Sequence, residues 1–370
     1  MTSRKRILII ENSRQVTGAM KSICAMANDL QNDFDFIFVL PSGSAATQWL
    51  RSHSRFRVME VTMMEISKSW RSIFYIPQLV ISSLRIRSII SNENIDVVHS
   101  NDLYNLVGPL LKFLGLKFRY ICHVRFMPGG FPSWLYKFWL DRQIAAAEYI
   151  IAVSDVLKSK LPVHPRVVRI HDRMLLSPPE QLNVKKDCDT ILYLSNIIPG
   201  KGHDHAIAAF ATVHKKFPSW RLRIVGSDMN LEKNRRYRET LKRQATLLAV
   251  QDSIEWHDFI DDVALQYLSA GIFANFSSSE SFSMTCLEAQ YYGCCVVATN
   301  SGGPAEIIID GITGLLVPVD NTQAMADALE KLMHDPELRQ SMGASGASNV
   351  RGKFGPEKTS GALRSIYLQS

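Results

Sequence analysis

Short apolar runs alternate with helical patterns along most of this 370-residue chain, and that alternation limits the folds it can reach. Ile7 to Ile10, Phe36 to Leu40, Asp96 to His99, Tyr120 to His123 and Tyr149 to Val153 are runs of four or five residues whose interior positions are all apolar. A strand exposed on one face would alternate polar and apolar positions. Continuous apolar runs instead suit strands buried on both faces, as in a parallel sheet covered by helices. Gly18 to Leu30 supplies such a helix, with Met20, Ile23, Cys24, Ala27 and Leu30 on one face. Tyr149 to Val153 is expected to close the first sheet, and Ser154 is the expected cap of the helix that follows. The pattern breaks over 161–189, which holds Pro162, Pro165, Pro178 and Pro179 and is read as a connection containing one short strand, Arg166 to Ile170. Alternation resumes with Thr190 to Leu194, Leu222 to Gly226, Ile254 to Trp256, Ile272 to Phe276, Val296 to Thr299 and Gly314 to Val317. Helices are expected over Thr322 to His334 and around Leu363 to Leu368. The fold class is therefore α/β, two Rossmann-like, doubly wound parallel-sheet domains facing each other across a cleft that holds the ligand. The expected boundaries are 1–165, 166–350 and a C-terminal helix over 351–370 that crosses back to the first domain.

One segment carries more chemistry than the rest. Ile272 to Phe276 is followed by Ser277, Ser278 and Ser279, then Glu280, Ser281, Phe282 and Ser283, and a helical pattern from Met284 to Tyr292. A strand, a polar loop and a helix N-terminus form an anion site, because first-turn N–H groups lack intrahelical partners and point at the ligand. Glu280 and Glu288 lie eight positions apart, and each carboxylate can accept hydrogen bonds from sugar hydroxyls. The combination points to a sugar nucleotide.

From Glu280 to about Asp320 the sequence resembles the donor-binding signature of retaining glycosyltransferases of family 4, which have the GT-B fold. The resemblance rests on Glu280 and Glu288 at their spacing, Gly293, the strand Val296 to Thr299, Gly302-Gly303, Gly311 and Gly314. It implies that Glu288 binds the nucleotide ribose and Glu280 the transferred sugar. Ser281, Phe282, Ser283 and Met284 would offer backbone amides to the distal phosphate, although the family usually has Phe-Gly where Phe282-Ser283 stands. A second motif runs from Leu194 to Asp204. Lys201-Gly202 matches the family's Lys-Gly beside the donor diphosphate, while Asn196 stands where an Arg is expected and brings no charge. In the first half the resemblance implies an active-site role for His123, with Arg125 beside it toward an anionic acceptor. Gly18 corresponds to the family's glycine loop after the first strand, with Thr17 in the place of the paired glycine. Glu280, His123 and Lys201 are thus the expected catalytic residues.

The resemblance further implies a nucleotide-sugar donor, UDP- or GDP-linked, a glycan or lipid-linked acceptor, and no cofactor or metal. Asp187-Cys188-Asp189 has the look of a metal-binding Asp-x-Asp but lies in a linker-like region and is read as chance. The six cysteines have no regular spacing and suit reduced, buried thiols. Charge is lopsided: residues 1–165 hold 20 Lys and Arg against 12 Asp and Glu, whereas the remainder holds 22 against 23. With the aromatic stretch Phe126 to Trp139 (and Trp49, Arg51, Arg55, Phe56, Arg57, Lys68, Trp70 and Arg71), that excess fits peripheral contact with a membrane or a lipid-linked acceptor rather than nucleic acid. The stretch Ile73 to Ile90 reads as an ordinary packed helix, and no apolar run is long enough to span a bilayer. Four apolar residues after Met1 to Arg6 are too few for a signal peptide, so a cytoplasmic protein is expected, peripheral on the inner face of the membrane. Two other readings stay open: a sugar-nucleotide epimerase of the same fold, and a non-catalytic relative that binds a partner.

Overall fold

The computed structural model describes residues 4–63, 74–174 and 187–369. Among these the chain divides into two compact units, Met1–Leu175 with Phe354–Ser370, and Leu176–Lys353.

The first unit is built on β1 (Arg6–Ile10), α1 (Gly18–Leu30), β2 (Asp35–Pro41), α2 (Ala45–His53), β3 (Arg57–Val61), α3 (Tyr75–Asn92), β4 (Val97–Ser100), α4 (Val107–Phe113), β5 (Arg119–Val124), α5 (Ser133–Ala146), β6 (Tyr149–Ala152), α6 (Asp155–Lys158) and β7 (Val167–Arg169). Its strands form one sheet in the order β3-β2-β1-β4-β5-β6-β7, every pair parallel. Ile7, Ile9, Phe38, Val97, Ile121 and Ile151 are buried in its core, which explains the uninterrupted apolar runs. The short strand expected inside the proline-rich connection is β7. It pairs with β6, so the sheet continues past Val153 instead of closing there. Ser154 caps α6, its Oγ accepting from the Leu157 N–H at 3.0 Å. The edge strand β3 and helix α2 have no counterpart in the sequence expectations. Trp49, grouped there with surface aromatics, is instead buried in this core.

The second unit comprises β8 (Asp187–Leu194), α7 (His203–His214), β9 (Arg221–Val225), α8 (Glu232–Leu247), β10 (Ile254–His257), α9 (Ala264–Ser269), β11 (Ala270–Asn275), α10 (Met284–Tyr291), β12 (Cys295–Thr299), α11 (Pro304–Ile307), β13 (Gly314–Val317), α12 (Thr322–His334) and α13 (Pro336–Lys353). Its sheet order is β10-β9-β8-β11-β12-β13, again all parallel. In each sheet the chain first builds outward one way and then the other. The order reverses between β1 and β4 in the first and between β8 and β11 in the second. A crevice opens outside the carboxyl ends of strands at such a reversal.

The last helix, α14 (Pro356–Leu368), packs in the first unit, burying Leu363, Ile366 and Tyr367 in that core. Each such side chain contributes about 1.5–3 kcal/mol relative to exposure. Lys5 Nζ and Arg119 Nη1 donate to carbonyls at the end of α14, including that of Tyr367 at 3.3 Å from each. Cations there satisfy orphan acceptors and oppose the negative end of the helix dipole.

Candidate functional site

The β8/β11 crevice gathers the two motifs of the second half. Lys201 lies in the loop from β8 to α7 and Glu280 in the loop from β11 to α10. The Lys201 ammonium donates to Glu280 Oε1 at 2.7 Å, and Ser277 Oγ donates to the same oxygen at 2.8 Å. Both charged groups are mostly buried, 28% and 12% exposed. Backbone bonds fix the Glu280 loop on its other side: the Glu280 N–H donates to Ser301 O at 3.1 Å, and the Gly303 N–H donates to Glu280 O at 2.9 Å. Asn196 sits half-buried in the Lys201 loop, and its carbonyl accepts from the Ile198 N–H.

Tyr193 stitches the two loops together. Its hydroxyl donates to Lys201 O at 2.5 Å and accepts from the Phe276 N–H at 2.9 Å. Gly202 makes the close approach possible: its φ is +72°, and a Cβ there would lie 2.1 Å from Phe276 O. His203 follows, fully buried, with Nε2 3.2 Å from Ser195 Oγ. Burial pushes its pKa down to about 4, so the ring is neutral at ordinary pH.

Ser283 precedes α10 with φ +79° and ψ 75°, the left-handed region that favours glycine. This accounts for the Gly in the family pattern at that place. Asn275 holds the strained serine, donating from Nδ2 to Ser283 Oγ at 3.2 Å and to Thr285 Oγ1 at 3.3 Å. A non-glycine residue in such backbone persists only where neighbours over-determine it, and such residues cluster at ligand sites. Phe282 is buried with its ring in the core, so only its backbone can meet a ligand. Ser281 and Met284 flank it, half-buried. Glu288 lies farther along α10, its Oε2 accepting from Tyr267 Oη at 2.9 Å. Tyr267, Tyr193, Asn275 and Ser277 were not among the residues expected from sequence. The only prior sign was their place in or beside apolar strands, where a polar atom needs a partner.

In the first unit the strand ends carry a polar network. Asn101 donates to Glu11 Oε2, and Arg125 Nε donates to Asn101 Oδ1 at 2.9 Å. Arg125 also forms a buried ion pair with Asp172, whose Oδ1 accepts from Ser22 Oγ at 2.7 Å. Arg125, expected to face an anionic acceptor, is 8% exposed and pairs with Asp172. His123 is the penultimate residue of β5 and is fully buried, Nδ1 lying 2.7 Å from His99 Nε2. Gly18 opens α1 behind its cap Thr17 and has no left-handed backbone. Asp102, after β4, has its carboxyl pushed up to about 8, chiefly by burial, with Glu11 adding to the rise.

The Asp187-Cys188-Asp189 stretch opens β8, at the strand's amino end, and Asp189 Oδ2 accepts from Ser219 Oγ at 2.8 Å. The five cysteines among the described residues are buried; burial pushes the Cys24 and Cys286 thiols up to about 12, which makes them inert. Of the aromatic stretch, Tyr136 and Trp139 are core residues, while Trp134 and Phe138 are exposed. Lys68, Trp70 and Arg71 lie outside the described residues.

Comparison with known proteins bears on the second unit. The family described as glycosyl transferases group 1 matches residues 178–348. An uncharacterized glycosyltransferase of Haemophilus influenzae is 30% identical over 173 residues, 46% of this chain and 47% of its own. A D-inositol 3-phosphate glycosyltransferase of Kribbella flavida is 31% identical over 194 residues, 50% of this chain and 45% of its own. The chain thus spans a little under half the length of these curated relatives. Among solved structures, Anabaena HepE in complex with UDP and glucose superposes with a TM-score of 0.84 at 18% identity, covering 99% of this chain and 100% of that one. Sucrose-phosphate synthase of Thermosynechococcus elongatus gives 0.79 at 18% identity, covering 98% of each. The shared architecture is the GT-B fold.

Proposed function

We propose that this protein is a retaining glycosyltransferase that moves a sugar from a UDP- or GDP-linked donor to a glycan or lipid-linked acceptor in cell-surface polysaccharide or lipopolysaccharide assembly. The observation that carries the reading is the Lys201–Glu280 pair at the β8/β11 reversal, beside the strained start of α10. Lys201 and the α10 N-terminus would neutralise the leaving diphosphate, which is where charge develops in the transition state. The diphosphate competes with Glu280 for the ammonium, freeing that carboxylate for hydroxyls of the transferred sugar. Glu288, held by Tyr267, takes the ribose hydroxyls. With a cation and a helix dipole on the leaving group, transfer needs no metal, and activity should survive chelation. HepE's solution with UDP and glucose supports a UDP-linked donor.

Peripheral membrane contact draws support from the first unit. Helix α3 buries Ser82, Ser83, Ile86 and Ile90 but leaves Ile76, Val80, Ile81 and Leu84 exposed. The helix thus packs one face and keeps an apolar strip exposed. Beside it, a groove of about 500 Å³ between α4 and α5 is lined by Pro109, Leu110, Phe113 and Phe138 with Lys112 and Arg142. Apolar side chains flanked by cations suit an anionic lipid surface on the cytoplasmic side. Among the described residues, no helix is long and apolar enough to cross a membrane.

The deciding experiment is a thermal-shift screen against UDP-, GDP-, ADP-, TDP- and CMP-sugars with Glu288→Ala alongside. Stabilisation by one nucleotide class, lost in the variant, is expected; a hundredfold excess over Kd corresponds to about 2.7 kcal/mol. A wild-type protein that no sugar nucleotide stabilises refutes the reading.

A further inference from the structure

The loop that carries Glu280 is held at both ends by one side chain. Asn275 is the last residue of β11 and is 3% exposed. Its Oδ1 accepts from the Ser277 N–H at 3.1 Å, where the loop begins. Its Nδ2 donates to Ser283 Oγ at 3.2 Å and to Thr285 Oγ1 at 3.3 Å, where the loop ends and α10 starts. Two hydroxyls can donate as well as accept, so by themselves they would allow the amide to turn end for end. The Ser277 N–H removes that choice. A backbone N–H only donates, so the atom facing it is the oxygen, and the NH2 group faces the two hydroxyls. The carbonyl and both N–H groups of the amide are then paired.

Each end of this clamp bears on Glu280 by a separate route. Ser277, fixed through its N–H, donates from Oγ to Glu280 Oε1 at 2.8 Å, and Thr299 Oγ1 donates to the Ser277 carbonyl at 2.6 Å. Ser283 follows Glu280 in backbone that glycine adopts without support, φ +79°. A serine with no tether is driven out of this region by its own Cβ. Leaving it would swing the Glu280 loop relative to α10. Asn275 Nδ2 opposes that motion by tying Ser283 Oγ to the end of β11, which the sheet fixes between β8 and β12.

We propose that Asn275 is a positioning residue that sets the Glu280 carboxylate against the donor sugar by clamping both ends of its loop, and that it lets serine occupy position 283, whose backbone otherwise asks for glycine. The part that names the donor sugar rests on the transferase reading above. The other residues of β11 are Ala270, Gly271, Ile272, Phe273 and Ala274, all apolar and buried. A buried amide at the end of such a strand needs partners, and those of Asn275 lie in the loop and at the start of α10. Asn275 thereby acts on the site through Ser277 and Ser283, without touching the ligand.

The test measures turnover of the sugar nucleotide selected by the screen above, and melting temperature, on the full chain and its variants. Asn275→Leu nearly keeps the shape of the side chain and removes the clamp. Its kcat/KM should fall about ten- to a hundredfold, as for a misplacement of about 1 Å. Adding Ser283→Gly to that variant relieves the left-handed strain and should recover about five- to thirtyfold, the penalty of such backbone for an L-residue. A residue that only packs the core shows no such recovery. Ser283→Ala and Ser283→Gly both delete the hydroxyl, but only alanine keeps the strain, so glycine should retain about five- to thirtyfold more activity than alanine. That pair decides the proposal if Asn275→Leu does not fold. Wild-type kcat/KM in Asn275→Leu, a double variant no better than Asn275→Leu, or equal losses in Ser283→Ala and Ser283→Gly overturns it. If wild type turns over none of the sugar nucleotides, the transferase reading fails, and the same order among the melting temperatures still decides the clamp.

Discussion

Gly303→Ala tests whether the Glu280 loop is as tightly set as its bonds imply. Gly303 has φ −50°, which any residue adopts, so alanine adds no backbone strain. Its Cβ, however, would lie 2.3 Å from both Cα and O of Phe282. Phe282 backbone must move by about 1 Å to restore ordinary contact, and overpacking of this kind costs about 1–3 kcal/mol. At roughly 2–4 °C per kcal/mol for a unit of this size, the melting temperature falls by roughly 2–12 °C. The displaced atoms adjoin Glu280 and Ser283, and a shift of about 1 Å in positioning groups can cost about a hundredfold in rate. Gly311→Ala is the control. Its φ is +75°, and no atom lies within 4 Å of its Cβ, so alanine there meets only left-handed strain of about 1–2 kcal/mol. The two variants should melt at comparably lowered temperatures. Calorimetry with the donor identified by the screen, together with turnover, separates them: Gly303→Ala should lose most activity and Gly311→Ala little. Gly303→Ala acting at the wild-type rate, or Gly311→Ala losing as much, would refute the argument from loop geometry.

Tyr193→Phe removes both bonds that tie the Lys201 loop to Phe276 and should destabilise the protein by about 1–3 kcal/mol in urea titration while weakening donor binding. Glu280→Ala should cut turnover sharply in a donor-consumption assay, and wild-type rates would remove Glu280 from the site. Tyr267→Phe leaves Glu288 without its phenol partner and should raise the donor Kd about two- to tenfold by calorimetry. Acid should weaken the fold through His203: its pKa is lowered to about 4 from the usual 6.5, so its contribution is complete above pH 6.5 and is lost as pH falls toward 4, about 3 kcal/mol in all. Denaturation midpoints between pH 7 and pH 4 should show this decline, shallower in His203→Gln but not abolished, since buried His99 acts in the same direction.

The strands of both sheets were legible because burial on two faces leaves an uninterrupted apolar run, as in Ile7 to Ile10 and Ile272 to Ala274. β3 was not: Arg57, Met59 and Glu60 lie at a sheet edge, where half-exposed positions admit polar residues and blur the pattern. The end of the first sheet was misjudged at Val153 because β7 has only three residues amid prolines, and its strand character comes from pairing with β6.

The sequence alone determined the two-sheet α/β architecture and the loops that bear Lys201, Glu280 and Glu288, because strand periodicity and loop chemistry are local. Only the tertiary structure decided how those residues are held. Lys201 and Glu280 are 79 positions apart and meet because β8 and β11 are neighbours at the point where strand order reverses. The left-handed Ser283 depends on Asn275 across the loop, and Arg125 is neutralised by Asp172 from beyond β7. His99 and Tyr367 are in hydrogen-bond contact although 268 positions apart, and no periodicity connects them. Partner choice for a buried polar atom is set by which elements the fold brings within about 3 Å, and that information lies in packing rather than in any window of sequence.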